Sequence, residues 1–295
     1  MTIIKAEFWF SGLVLLFAIL ILFGHLTTNN QEFSRYNTAW NGTSQFFSDL
    51  DRDRVVEISG PDQLSAYPAN ATLLIIAPVR LPTDEEQIAY RTFIERGNTI
   101  ILADDFGTGN ATLKAVGSRI SIQPLSLSSV DREFADAYSI VVYPVTNETP
   151  VKDVNKLLLN HPAPLNGGNT LVRTSVMSWI DANSDRRISK NEMLSTFAVI
   201  SSEKISKGRI IVISDPSLFI NSMYAEDNRW DNRLFIRNLV NEPGPVLIDQ
   251  MNSRTRDAEG LNEILHVIRT NVIIELIIFA GLLLLVAGVW KTKRI

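Results

Sequence analysis

Thr72-Leu-Leu-Ile-Ile-Ala77-Pro-Val-Arg-Leu-Pro-Thr83-Asp-Glu-Glu86-Gln-Ile-Ala-Tyr-Arg-Thr-Phe-Ile-Glu-Arg-Gly97-Asn-Thr-Ile-Ile-Leu-Ala103 carries the pattern that decides the fold. Residues 72–77 are continuously apolar between Asn70 and Pro78, as in a strand covered on both faces. Thr83 is placed to cap a helix, and Glu86 three positions later completes a capping box. Ile88, Phe93 and Ile94 then recur near helical spacing until Gly97 supplies the stop. Residues 99–103 are a second buried strand, and a strand, helix and strand on short links make a right-handed βαβ unit with parallel pairing.

The same theme extends outward in both directions. Residues 139–143 and 209–214 read as further apolar strands, the latter followed by Asp215-Pro216 and a helix over 231–240. Residues 245–249 read as a last strand, 43–51 as a helix and 55–59 as extended. Residues 171–180 read as one strand, while 144–165 give conflicting signals and receive no assignment. The expectation is an α/β domain over residues 28–249, with a mostly parallel sheet and helices on both faces.

Of the 295 residues 45% are hydrophobic and 20% charged, enough apolar material for one sizeable core. A net charge of -4 without a basic stripe argues against nucleic acid as a partner. The absence of cysteine removes disulfides, thiolate metal sites and cysteine nucleophiles. Residues 8–24 form an uncharged apolar run of about 17 residues, and 272–290 a second of about 19 broken only by Glu275, each near the length needed to span a bilayer core. Lys5 before the first run, and Lys291, Lys293 and Arg294 after the second, place both ends in the cytoplasm by the bias of cations near spans. The expected plan is an anchor at 1–27, an extracytoplasmic domain at 28–249, a polar stalk at 250–270 and a second span with a basic tail at 271–295 of a two-pass cell-membrane protein.

Tyr36-Asn37-Thr38, Gly42-Thr43-Ser44, the strand end Ile76-Ala77-Pro78, the helix start Thr83-Asp84-Glu85-Glu86, Gly97 to Ala103, Gly208 to Asp215, Asn221 and Asp231-Asn232-Arg233 resemble the domain-of-unknown-function family 4350. The resemblance covers most of residues 34–249. It implies a membrane-anchored fold similar to class I glutamine amidotransferases and to auxiliary gliding-type ABC transporter proteins. It also implies partners among membrane or envelope proteins and a MoxR-type ATPase system. The amidotransferase reaction does not carry over, because this chain has neither a cysteine nor a nucleophile elbow, and His161 is the only histidine well inside the domain.

Asp181-Ala-Asn183-Ser-Asp185-Arg-Arg187-Ile-Ser189-Lys-Asn-Glu192 has the spacing of an EF-hand-type calcium loop. Asp181, Asn183, Asp185 and Glu192 would be side-chain ligands, Arg187 would offer its carbonyl and Ser189 would act directly or through water. Arg186 stands at the sixth position, where glycine usually makes the turn, and the competing reading is a polar Asx-rich loop. Gly107-Thr-Gly109-Asn-Ala-Thr112 lies where a phosphate loop would, but lacks the third glycine and reads as an ordinary turn with Thr112 as helix cap. Asp104, Asp105 and Asp215 end strands, the edge where ligands gather in open α/β sheets. They could work as acid and base, or cap loops.

The function expected is a non-enzymatic binding or scaffold protein, with calcium as its candidate cofactor. The alternatives are an accessory subunit of an ABC-type system and a hydrolase using the strand-end carboxylates. A hydrolase needs a pocket where Asp105 and Asp215 converge, whereas a scaffold shows a smooth sheet edge or an exposed apolar patch.

Overall fold

The computed structural model describes residues 31–50, 53–225 and 229–255, with isolated positions 12, 15, 16, 19 and 281. The chain divides into two units, Met1–Asn29 with Asp257–Ile295, and Asn30–Arg256, and the second carries every element below. In chain order it contains α1 (Ser44–Asp49), β1 (Val55–Ile58), β2 (Thr72–Ile76), α2 (Asp84–Glu95), β3 (Thr99–Ala103) and α3 (Gly109–Val116). There follow β4 (Ser121–Ile122), β5 (Ser126–Ser129), β6 (Ser139–Pro144), β7 (Leu157–Asn160), β8 (Leu165–Asn166), β9 (Asn169–Thr174) and β10 (Ser178–Asp181). The domain closes with β11 (Ala198–Ile205), β12 (Gly208–Ile213), α4 (Asn221–Tyr224), α5 (Asn232–Val240) and β13 (Val246–Asp249).

The βαβ unit forms as its residues dictate. Thr83 Oγ1 accepts from Glu86 N at 3.3 Å, and Glu86 Oε2 accepts from Thr83 N at 2.9 Å, so both halves of the capping box are made. Such a cap contributes about 1 kcal/mol. Arg80 adds a two-pronged contact to Glu86 at 2.8 and 2.6 Å that ties the incoming loop to the helix start. The strands β2 and β3 pair in parallel from Thr72 against Thr99 to Ile76 against Ala103. Alternation then sends Leu74, Ile76, Ile101 and Ala103 into one core, under α5 and the Pro216–Phe219 turn, and Leu73, Ile75, Ile100 and Leu102 into another, under α2 and α3.

The sheet as a whole departs from expectation. Among the described residues it has eleven strands, in the order β1-β13-β2-β3-β12-β11-β9-β6-β7, with β8 attached at β11 and β4 paired to β8. The five strands from β1 to β12 are parallel, but β11, β9, β6 and β7 all pair antiparallel, so the sheet is mixed rather than mostly parallel. The reason lies in the link between β11 and β12: only Ser206 and Lys207 separate them, and a two-residue link cannot carry the crossover that parallel strands need. Helices are correspondingly few, and the antiparallel half is joined by turns.

Two further expectations are corrected. Among the described residues no helix is long and apolar enough to cross a membrane. The pair of flanking transmembrane helices, and with it the two-pass localisation with cytoplasmic termini and an extracytoplasmic domain, is therefore withdrawn. The runs at 8–24 and 272–290, with Glu275, lie outside the described residues apart from the isolated positions named above. Secondly, Gln250, Met251, Asn252, Ser253 and Thr255, read as the start of a stalk, are buried in the domain.

Candidate functional site

Because β3 and β12 run in register, with Ala103 opposite Ile213, the residues after them share one carboxyl edge. This register is what brings Asp104, Asp105 and Asp215 to the same side of the sheet. Their roles nevertheless differ. Asp104 is 3% exposed and its Oδ2 accepts from Gly109 N, the first residue of α3, at 2.6 Å. A Cβ on Gly107 would lie 2.4 Å from Asp104 Oδ1, and one on Gly109 2.6 Å from Oδ2, so the Gly-Thr-Gly loop is closed around a carboxylate. The anion position at the helix N-terminus is thus filled by the chain's own side chain, which leaves no place for a phosphate there. Burial pushes the Asp104 carboxyl up to about 6 in spite of the Gly109 hydrogen bond. Thr112, expected as the cap, sits inside α3 instead, and Thr108 is the residue at its start.

Asp215 is fully buried. Its Oδ1 accepts from Ser217 N at 2.8 Å, capping the Pro216–Phe219 turn, and its Oδ2 accepts from Asn160 N at 2.5 Å. Burial outweighs these bonds and raises its carboxyl to about 7. Asp105 is half-buried, with Oδ1 accepting from Phe106 N at 2.6 Å. Burial pushes Asp105 up, against the pull of that N–H and of His161 and Arg254.

Beside them opens a cleft of about 200 Å³ lined by Asp104, Asp105, Phe106, Glu32, Pro216 and Arg254. Arg254 pairs with Glu32 at 2.8 Å and donates its backbone N–H to Ile76 O at 3.0 Å. Asp215 does not line this cleft, although Asp105 lies near enough to help raise its carboxyl. Glu32, Arg254 and Asp249 were not anticipated from the sequence. Asp249 also ends a strand and accepts from Asn252 N, Ser253 N and Ser253 Oγ at 2.9, 2.9 and 3.1 Å, which folds residues 250–255 back onto the domain. Its place at the end of β13 was a legible signal; the approach of Arg254 to Glu32 was not.

The twelve residues from Asp181 to Glu192 form a closed loop. Asp181 Oδ1 accepts from Asp185 N at 3.2 Å, and its Oδ2 from Arg186 N at 2.8 Å and Tyr138 Oη at 3.0 Å. Asp185 Oδ1 accepts from Arg187 N at 2.8 Å, and Asn183 Nδ2 donates to Asp185 Oδ2 at 3.0 Å. Glu192 reaches back to Ala182 N at 2.9 Å and to Ser189 N at 2.8 Å. Arg186 takes a left-handed φ of 62°, the conformation that glycine supplies at the sixth position of a calcium loop. The carboxylates serve the loop's own N–H groups, and among the described residues no group of three His, Asp or Glu side chains converges as a metal site.

The stretch 171–180 is interrupted. Thr174 ends β9 on the main sheet, and after an exposed turn Ser178 begins β10, which pairs with β5 as a separate two-stranded ribbon. The break exposes Val176 (65%), beside Val130 (58%), whose N–H donates to Met177 O at 3.0 Å. Ser195 N donates to Ser178 O at 2.8 Å, bringing Met193 (81%) and Leu194 to the same end of the ribbon. Single exposed apolar side chains are ordinary; here five are carried by segments hydrogen-bonded to one another at one end of the ribbon.

The family model for a domain of unknown function, DUF4350, matches residues 35–240, and the chain belongs to that family. No curated protein matches the chain. Among solved structures, a β-galactosidase from Rahnella sp. R3 is similar at 10% identity and a TM-score of 0.35, covering 59% of this chain and 23% of the enzyme. A ThuA-like protein from Bacteroides uniformis ATCC 8492 is similar at 13% identity and a TM-score of 0.33, over 61% of this chain and 70% of that one. A cytoplasmic protein from Salmonella typhimurium LT2 is similar at 7% identity and a TM-score of 0.30, over 62% and 71%.

Proposed function

We propose that this member of the DUF4350 family is a binding module that docks a partner protein on the apolar end of the β5–β10 ribbon. The observation that carries the proposal is the patch of Val130, Val176, Met177, Met193 and Leu194, a surface that leaves apolar side chains in water unless something covers it. Two further features favour it. Asp104 and both oxygens of Asp215 accept from loop and turn N–H groups, which weighs against a hydrolase built on Asp105 and Asp215. The outer edge of β7 is also closed to strand addition: Asn232 bonds Leu158 N and O at 2.9 Å each, and Asp231 and Asp215 accept from Asn155 N and Asn160 N. A partner at that end of the sheet is therefore met by side chains. The family resemblance supplies a MoxR-type ATPase system as one candidate.

A calcium clip at residues 181–192 belongs to the same proposal. Closure of the loop by Glu192 and the left-handed backbone at Arg186 favour it. Binding would exchange the N–H partners of Glu192 for the ion and fix the connection that carries Met193 and Leu194.

The test is purification of the full chain from its own cells under mild conditions, beside the double variant Val176→Asp, Met193→Asp. A partner protein held by the wild type and lost from the variant, at unchanged melting temperature, is expected. A wild type that purifies alone, or a variant that keeps its partner, overturns the docking surface.

A further inference from the structure

Ser126 opens β5, at the far end of the ribbon from the apolar patch. Its Oγ lies 2.8 Å from His161 Nε2. Both residues are partly exposed. Two rings hold the imidazole: that of Tyr138 stacks on it at 4.1 Å between centroids and 29° between planes, and that of Phe106 lies at 4.9 Å and 47°. The backbone is held as well, since His161 takes a left-handed φ of 64° while donating its N–H to Tyr138 O at 2.9 Å. A non-glycine residue kept in that conformation is a feature to which function is often attached. A nucleophile within hydrogen-bond reach of a ring whose orientation is fixed by its neighbours is the geometry of an activated serine.

Charged groups face the ring from several elements. Asp105 from the end of β3, Asp136 from the segment before β6 and Asp181 from β10 face the ring with negative charge, and Arg186 from the following loop opposes them. Burial nonetheless holds the imidazole below its ordinary range, so that it is neutral and able to take a proton at pH 7.

We propose that Ser126 is a nucleophile for acyl transfer from activated esters, with His161 as its general base. Ser126 Oγ forms a bond to the carbonyl carbon and gives its proton to His161 Nε2. The carbon–oxygen bond to the leaving alcohol breaks, and the alcohol takes that proton away. Water then attacks the acyl-serine by the same route, releasing the acid and restoring the hydroxyl. This goes beyond the docking proposal and does not depend on it, because none of the patch residues takes part.

The test is reaction of the full-length protein with a fluorophosphonate probe, read by peptide mass spectrometry. Oγ–P bond formation with loss of fluoride leaves a stable adduct. The expected result is an adduct on Ser126 in the folded wild type, none on Ser126→Ala at that peptide, and a labelling rate about 100-fold or more lower in His161→Gln, whose amide can hydrogen-bond but cannot act as a base. The wild-type rate should also climb with pH as His161 loses its proton. A folded wild type without an adduct at Ser126, or a His161→Gln variant labelled as fast as wild type, overturns the proposal.

Discussion

At the scale of single residues, Asp215 shows how a strand-end carboxylate is used when it does not meet a substrate. Its two oxygens hold a turn and the last residue of β7, and full burial lifts its carboxyl from 3.8 to about 7. Asp104 and Asp249 are lifted by burial to about 6. A folded state that binds these protons more tightly than the unfolded chain gains stability from them below the unfolded value. That gain is lost as pH rises through the folded values. Stability should therefore fall between about pH 4 and about pH 7 through these groups, and Asp215→Asn, which cannot ionise, should fall less. Urea midpoints measured across this range decide it: identical slopes for wild type and variant would mean that Asp215 is not a raised group. Asp249 was not singled out in the sequence, whereas Asp104, Asp105 and Asp215 were legible in it as residues of interest. Their tasks were not, since those depend on Gly107 and Gly109 closing on one carboxylate and on Asn160 arriving from a distant strand.

At the scale of elements, the capping box at Thr83 and Glu86 was readable because both of its partners lie within one helical turn. The break at residues 175–177 was not readable. Leu171, Val172, Trp179 and Ile180 suit one continuous strand, and only the exchange of partner from β11 to β5 splits them. The loop from Asp181 to Glu192 sits between these cases: its spacing was plain, and its closure by Glu192 agrees with it, yet its carboxylates are turned onto backbone N–H groups. If calcium is the group that this loop takes, an ion in excess over its dissociation constant raises the melting temperature. Chelator should reverse the rise, magnesium should not reproduce it, and the double variant Asp185→Asn, Glu192→Gln should lack it. A wild-type melting temperature indifferent to calcium and to chelator would leave the loop as an Asx-rich turn.

At the scale of the whole domain, the parallel half was legible and the antiparallel half was not. Buried strands such as residues 139–144 and 208–213 present the same continuous apolar run whichever way their neighbours point. Direction is set by the links, and the two residues between β11 and β12 were the available clue. The resulting mixed sheet has one edge occupied by Asn232, Asp231 and Asp215, while the β5–β10 ribbon, packed on the domain through Leu127 and Trp179, pairs separately from it and carries exposed apolar side chains at one end. Recognition through that end is the central claim. Its most direct measurement is photo-crosslinking in living cells from a reactive amino acid placed at Val176, beside a control at Ile88, which is equally exposed on α2. A discrete crosslinked protein from position 176 that is absent from position 88 is the predicted result. No adduct from 176, or the same products from both positions, would contradict it.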